Sequence, residues 1–154
     1  MCLICDRIRM IKEGSNPYFV KELKTGYVVL GDHQHFKGYT LFLCKEHCTE
    51  LYHLDARIRQ EYLNEMALVA EAVSVAFGAD KMNYELLGNG DTHLHWHLFP
   101  RTDGDLDGYG NQGRGPVWWY PREKMYAEQA RPTDEKLKDM KEKLLWQLNS
   151  LTEV

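Results

Sequence analysis

The stretch His93-Leu94-His95-Trp96-His97-Leu98-Phe99-Pro100 places three imidazoles at alternate positions. Alternation of polar and apolar residues is the period of a β-strand, whose successive side chains point to opposite faces. The spacing predicts that Leu94, Trp96 and Leu98 face a core. His93, His95 and His97 then share the other face, about 7 Å apart from one Cα to the next. Three imidazoles on one face are poor packing material. They suit metal ligation, nucleophilic attack or proton transfer.

A second group of reactive residues lies upstream. Cys2-Leu3-Ile4-Cys5 has the two-residue spacing that lets two thiolates grip one metal. A structural zinc site needs four ligands, and Cys44, His47, Cys48, His53 and His93 are available to complete it. Three sets compete. One joins Cys2 and Cys5 to His47 and His93. Another uses all four cysteines. The third puts an open catalytic metal on His93, His95 and His97. Close cysteine pairs also fit two disulfides in a secreted chain. The first ten residues carry Asp6, Arg7 and Arg9 and do not read as a signal peptide. Metal ligands or free thiols in a cytoplasmic protein are therefore expected.

If His93 holds a metal, His95 stands beside a rigid anchor. A neutral imidazole nitrogen attacks phosphorus when its other ring nitrogen is protonated and oriented by a hydrogen bond. His97 can then bind or protonate phosphate oxygens. The small polar turn Asn89-Gly90-Asp91-Thr92 precedes the histidines and can offer side-chain and backbone donors to the same phosphate.

These groups need a scaffold. The chain has 154 residues, 44% of them hydrophobic, enough for a single domain with a real core. Its 19 basic residues are scattered among 23 acidic ones, for a net charge of −4. No basic footprint for nucleic acid results. No apolar run is long enough to span a bilayer, so no membrane partner is expected. Residues 18–23 and Gly26–Leu30 read as a hairpin, and Thr40–Cys44 as a third strand. Asp55 can cap a long helix to about Phe77, with Ile58, Tyr62, Met66, Val69, Val73 and Phe77 as its apolar stripe and Gly78 as its stop. Residues 82–88 read as the fourth strand and the histidine segment as the fifth. Residues 102–116 are a Gly- and Asp-rich loop. Pro132 and Thr133 open a last helix striped by Leu137, Met140, Leu144, Leu148 and Leu151. The expected architecture is α+β, a mostly antiparallel five-stranded sheet with one long helix packed on it and a C-terminal helix.

Two other features are weaker. Asp103-Gly104-Asp105-Leu106-Asp107-Gly108 mimics the start of a calcium loop, but Arg114 stands where a bidentate glutamate is required. Trp118, Trp119 and Tyr120 form a dense aromatic patch, either a packed seam or a wall that stacks on a substrate.

His93-Leu94-His95-Trp96-His97-Leu98-Phe99 fits the pattern His-φ-His-φ-His-φ-φ, with φ apolar. Together with Cys2-x-x-Cys5, the run from Gly38 to His47 and Pro100-Arg101, it resembles the histidine triad family of nucleotide hydrolases and transferases. The resemblance covers roughly residues 1–101 of what is expected to be one domain over 1–154, with 102–154 as a C-terminal loop and helix. It implies a half-barrel fold, usually a homodimer. It implies a structural zinc on Cys2, Cys5, His47 and His93. It makes His95 the nucleophile toward an α-phosphate, through a nucleotidyl-histidine that water cleaves, and His97 a phosphate contact that leans toward hydrolysis. Asn89 resembles the phosphate-binding asparagine of the family, Gly90 and Thr92 follow it in the turn, and Asp32 falls near the ribose-binding acidic position. The implied substrate is a purine nucleotide derivative, a dinucleoside polyphosphate or a nucleoside phosphoramidate. Tyr39 stands where many members have a histidine, and a phenol can hydrogen-bond in its place. The alternatives are a hydrolase with zinc on the triad itself and a non-catalytic nucleotide-binding module.

Overall fold

Val28, Phe42 and Trp96 lie level across three neighbouring strands and point to one face of the same sheet. In the computed structural model, which describes residues 1–153, that sheet has five antiparallel strands. They are β1 (Phe19–Glu22), β2 (Gly26–Leu30), β3 (Thr40–Cys44), β4 (Lys81–Glu85) and β5 (His95–Arg101), in the order β1-β2-β3-β5-β4. The histidine strand β5 is therefore interior to the sheet.

Two helices cover the face carrying Val28, Phe42 and Leu98. Helix α2 (Ala56–Phe77) contributes Tyr62, Val69 and Val73, and helix α4 (Asp134–Thr152) contributes Leu137, Met140, Leu144 and Leu148. Their ends carry the expected signals. Asp55 accepts a hydrogen bond from the Arg57 N–H at 3.0 Å, and Gly78 closes α2 in the left-handed region. Thr133 accepts from the Lys136 N–H at 3.3 Å to start α4. This is the expected α+β architecture.

The opposite face is covered only at its two ends. At one end, helix α1 (Leu3–Glu13) packs Ile4 and Ile8 on Tyr27, Val29 and Leu43. At the other, Leu106, Val117 and Met125 from the segment after β5 pack on Phe36, Tyr39 and Phe99. That segment includes a 3₁₀ turn at Val117–Trp119 and the short helix α3 (Arg122–Met125). His95 and His97 lie between the two covers.

Three expectations need correction, and helix α1 is an element that the sequence reading does not include. Strand β4 ends at Glu85, not residue 88. Ile58 belongs to the α2 stripe by spacing but sits at the solvent side. Strand β5 begins at His95, because Leu94 bonds outside the regular ladder: its N–H donates to the Cys48 carbonyl and its own carbonyl accepts from Cys44. His93 consequently precedes the strand and turns toward α1 instead of standing in line with His95 and His97.

Candidate active site beside a metal-ligand cluster

Cys2 and Cys5 fold as the first turn of α1. Cys2 is the N-cap, and its Sγ accepts the Cys5 N–H at 3.3 Å. Both sulfurs thus sit at the positive end of the helix dipole. His47, three residues past β3, brings Nδ1 to 3.2 Å from Cys5 Sγ. His93 brings Nδ1 to 3.5 Å from each sulfur. The four ligand atoms all lie within 4.8 Å of one another. Tetrahedral zinc with ordinary bond lengths sets its ligand atoms about 3.3–3.8 Å apart. The donor set therefore fits zinc.

The protonation of His93 fits as well. Its Nε2 lies 2.7 Å from the Cys44 carbonyl oxygen, which can only accept, so Nε2 carries the proton. The Nδ1 lone pair is left facing the thiols. Of the three competing ligand sets, this geometry gathers Cys2, Cys5, His47 and His93. Cys44 and Cys48 lie outside the cluster, and so does His53. A metal on all three triad histidines is not compatible with His93 turned to the cysteines.

His95 is fixed by the same reasoning one step further along. Its Nδ1 lies 2.7 Å from the His93 carbonyl oxygen, so Nδ1–H donates and Nε2 keeps a lone pair. His97 is fixed from the other side. Tyr39 Oη lies 2.6 Å from His97 Nδ1. Burial raises the phenol well above its ordinary pKa, and its hydrogen has no other acceptor among the described residues. Tyr39 therefore donates to Nδ1, and the His97 proton sits on Nε2. Burial, with a smaller effect from His95, drives the His97 imidazole down to about 3, so the ring is neutral. The two rings meet edge-on, 4.8 Å between centroids.

Backbone features make room for Tyr39. It follows Gly38, whose φ of +96° favours glycine and whose missing side chain would meet Phe77 at 2.6 Å. A Cβ on Gly31 would lie 2.3 Å from the Tyr39 ring. The ring stacks on Phe99, 4.3 Å between centroids at 8°.

A cavity of about 780 Å³ opens over His95 and His97. Asn89 and Gly90 line it, as expected, while Thr92 is exposed and lies outside the lining. Asp32 also lines it, but its carboxylate is held by Arg7 through two hydrogen bonds of 3.2 and 3.1 Å. Trp118 closes the far side, its ring 4.6 Å from His97. Glu85 holds it there. Its buried carboxylate accepts the backbone N–H groups of Val117 at 2.5 Å and Trp118 at 3.1 Å. Burial raises the Glu85 pKa, and the two backbone donors oppose that rise. Neither Arg7 nor Glu85 was anticipated from sequence. The calcium-like loop carries no open ligand set at Asp105, which binds the Arg101 guanidinium at 2.9 Å.

An α+β sheet that presents two oriented imidazoles to a cavity, with a third turned to a Cys₂His₂ cluster, defines a histidine triad architecture. The HIT domain profile matches residues 17–104, and the chain belongs to that family. It is 29% identical over 103 residues to Protein hit of Bacillus subtilis (strain 168), a match covering 64% of this chain. The chain spans 63% of that relative's length. Its fold is similar to that of a histidine triad protein from Marinobacter aquaeolei VT8 (27% identity, TM-score 0.69, 87% of this chain and 90% of that one). It is also similar to a Zn-bound histidine triad family protein from Mycobacterium smegmatis (20% identity, TM-score 0.63, 97% and 96%). No helix among the described residues is long and apolar enough to cross a membrane.

Proposed function

We propose that the protein is a nucleotide phosphohydrolase that cleaves at an α-phosphate through a nucleotidyl-histidine. The observation that carries this reading is the His95 Nδ1–H donated to the His93 carbonyl, which leaves the Nε2 lone pair available beside the cavity. On attack, Nε2 bonds phosphorus and the bond to the leaving atom breaks. The leaving atom keeps the electron pair and takes a proton from water. The imidazole becomes cationic, and its hydrogen bond to the His93 carbonyl strengthens. His97 Nε2–H donates to a phosphoryl oxygen as charge builds there. Asn89 and the backbone at Gly90 add donors, and Thr92 stands at the outer end of the same turn. Water then displaces His95 from phosphorus, and the water proton passes to solvent. Asp32 takes the ribose hydroxyls, in exchange for part of its hold on Arg7.

Cys2, Cys5, His47 and His93 would hold a structural zinc, whose part is to fix α1 and the His93 backbone. The zinc of the Mycobacterium smegmatis neighbour supports this assignment. The family resemblance supports a nucleotide as ligand, with a purine nucleotide or dinucleoside polyphosphate as the starting choice. It also supports a homodimer, for which the edge strand β4, with Tyr84 48% exposed, offers a surface. A cytoplasmic setting is consistent with free thiols.

The deciding experiment is acid-free quenching after mixing with substrate labelled at the α-phosphate. Label should remain on wild-type protein and vanish in His95→Asn. Equal labelling of the two proteins would remove His95 as the nucleophile.

A further inference from the structure

Among the described residues, Arg7 is the one lysine or arginine side chain that lines the cavity, and both arms of its guanidinium go to a single carboxylate. Nη1 donates to Asp32 Oδ1 at 3.2 Å and Nη2 to Oδ2 at 3.1 Å. Two parallel bonds of this kind fix the plane of a carboxylate as well as balancing its charge. A lysine ammonium does only the second.

Arg7 is itself firmly carried. It stands in the middle of α1, one turn past Leu3, and the two side chains share the face that lines the cavity. Ile4 and Ile8 press the helix onto Tyr27, Val29 and Leu43. Its first turn brings Cys2 to His93 and Cys5 to His47. The Arg7 carbonyl accepts from Asn16 Nδ2 at 3.3 Å.

The pair also lies at a useful place. Val29 is level with Leu41, and Leu41 with His97, across β2, β3 and β5, and all three line the cavity. Two strand spacings set Val29 about 10 Å from His97. Asp32 follows Val29 by three residues, at the rim of that floor. A nucleoside monophosphate with its phosphorus at the imidazoles therefore brings its sugar toward Asp32. A carboxylate has about four acceptor sites. The Arg7 fork takes one on each oxygen and leaves one on each for a pair of vicinal hydroxyls.

We propose that Arg7 is a positioning residue for the sugar of the substrate. It turns the Asp32 carboxylate so that both free acceptor sites face a ribose diol, and it cancels a charge that would repel the nucleotide anion. Helix α1 thereby selects ribonucleotides over deoxyribonucleotides without touching the sugar. This rests on the reading of Asp32 as the group that takes the ribose hydroxyls.

Calorimetric titration with adenosine monophosphate and its 2′-deoxy analogue tests the proposal, since neither has a leaving group to lose at phosphorus. Wild type should bind the ribonucleotide about tenfold more tightly, the worth of one hydroxyl donated to a charged acceptor. Arg7→Lys keeps the charge and the stem and loses the fork. Its ribo-to-deoxy ratio should fall to about threefold or less, while its affinity for the deoxynucleotide stays within about threefold of wild type. Arg7→Met removes the charge as well, so both nucleotides should weaken and the ratio should fall equally. A wild-type ratio that persists in Arg7→Lys and Arg7→Met but vanishes in Asp32→Asn overturns the proposal and leaves Asp32 as the sugar group. Equal binding of the two nucleotides by wild type overturns the proposal and the sugar role of Asp32 together, and leaves His95 as the attacking group.

Discussion

Tyr39 Oη lies 2.6 Å from His97 Nδ1, and it is the phenol that sets which nitrogen of His97 carries the proton. The ring is held independently of that bond, stacked on Phe99 and seated against Gly31. Tyr39→Phe should therefore keep the packing and delete only the donor. A buried acceptor left unpaired costs about 1–3 kcal/mol. The expected outcome is a fall in kcat of about tenfold with KM changed far less, because in the proposed reaction the His97 donor matters most as charge builds on phosphorus. Tyr39→His, which restores a ring donor, should recover part of the loss. Nitrogen-15 shifts of the His97 ring give a direct readout: the Nε2–H tautomer should dominate in wild type and lose that dominance in Tyr39→Phe.

The burial that keeps His97 neutral also makes the fold sensitive to acid. Its pKa is about 3 in the folded protein against about 6.5 in the unfolded chain. Between those values the unfolded chain binds more protons, so stability rises with pH and this contribution is complete above about pH 6.5. Below that it is lost at up to about 1.4 kcal/mol per pH unit, until about pH 3. Urea denaturation should show wild type losing about 2 kcal/mol more than His97→Gln between pH 7.5 and pH 5. His33 and His93 are also lowered by burial, but both proteins share them, so the difference isolates His97. A difference independent of pH would contradict the neutral, buried imidazole.

The Cys2, Cys5, His47 and His93 cluster couples the N-terminus to His95, the proposed nucleophile. Cys2 and Cys5 belong to α1, His47 follows β3, and His93 supplies the carbonyl that orients His95. Zinc analysis should give about one ion per chain, by the ligand count of a closed structural site. Chelation or Cys5→Ser should lower Tm by about 5–10 °C, from a loss of about 2–3 kcal/mol at roughly 2–4 °C per kcal/mol. Activity should fall with the fold and return with zinc only if α1 re-docks, which amide exchange over α1 would report. Instant loss of activity with α1 still protected would point to a catalytic metal instead.

What could be read from sequence was what local spacing encodes. The alternation of His95 and His97, the Asp55 and Thr133 caps and most of the apolar stripes of α2 and α4 repeat over a few residues, and the structure places them accordingly, with His93 and Ile58 as the exceptions. Helix α1 left a fainter trace: Ile4, Ile8 and Ile11 at helical spacing, then Gly14 as a left-handed stop. It was obscured because a cysteine, not a serine or aspartate, serves as its cap. The start of β5 was out of reach, since alternation cannot reveal that Leu94 bonds to Cys48 and Cys44. Glu85 and Arg7 were equally hidden. Their partners lie 32, 33 and 25 positions away, and no period links them.

Glu85 offers the sharpest test of how the aromatic wall is supported. Its carboxylate is the common acceptor for two successive backbone N–H groups at the 3₁₀ turn Val117–Trp119, and it stands level with His97. Glutamine at this position keeps one oxygen and turns an amide donor toward the second backbone donor, so Glu85→Gln should keep one bond of the clamp and replace the other with two donors facing each other. The cost should be about 1–3 kcal/mol, because one backbone donor loses its acceptor. It should be local. Amide exchange at Val117 and Trp118 should accelerate strongly, while the amides of α2 and β3 stay protected. Trp118 would then lose its fixed distance from His97, and near-ultraviolet circular dichroism from the tryptophans should weaken. If exchange at 117 and 118 is as slow in Glu85→Gln as in wild type, the wall is held by the packing of Val117 and Met125 on Phe99, and the carboxylate is not its clamp.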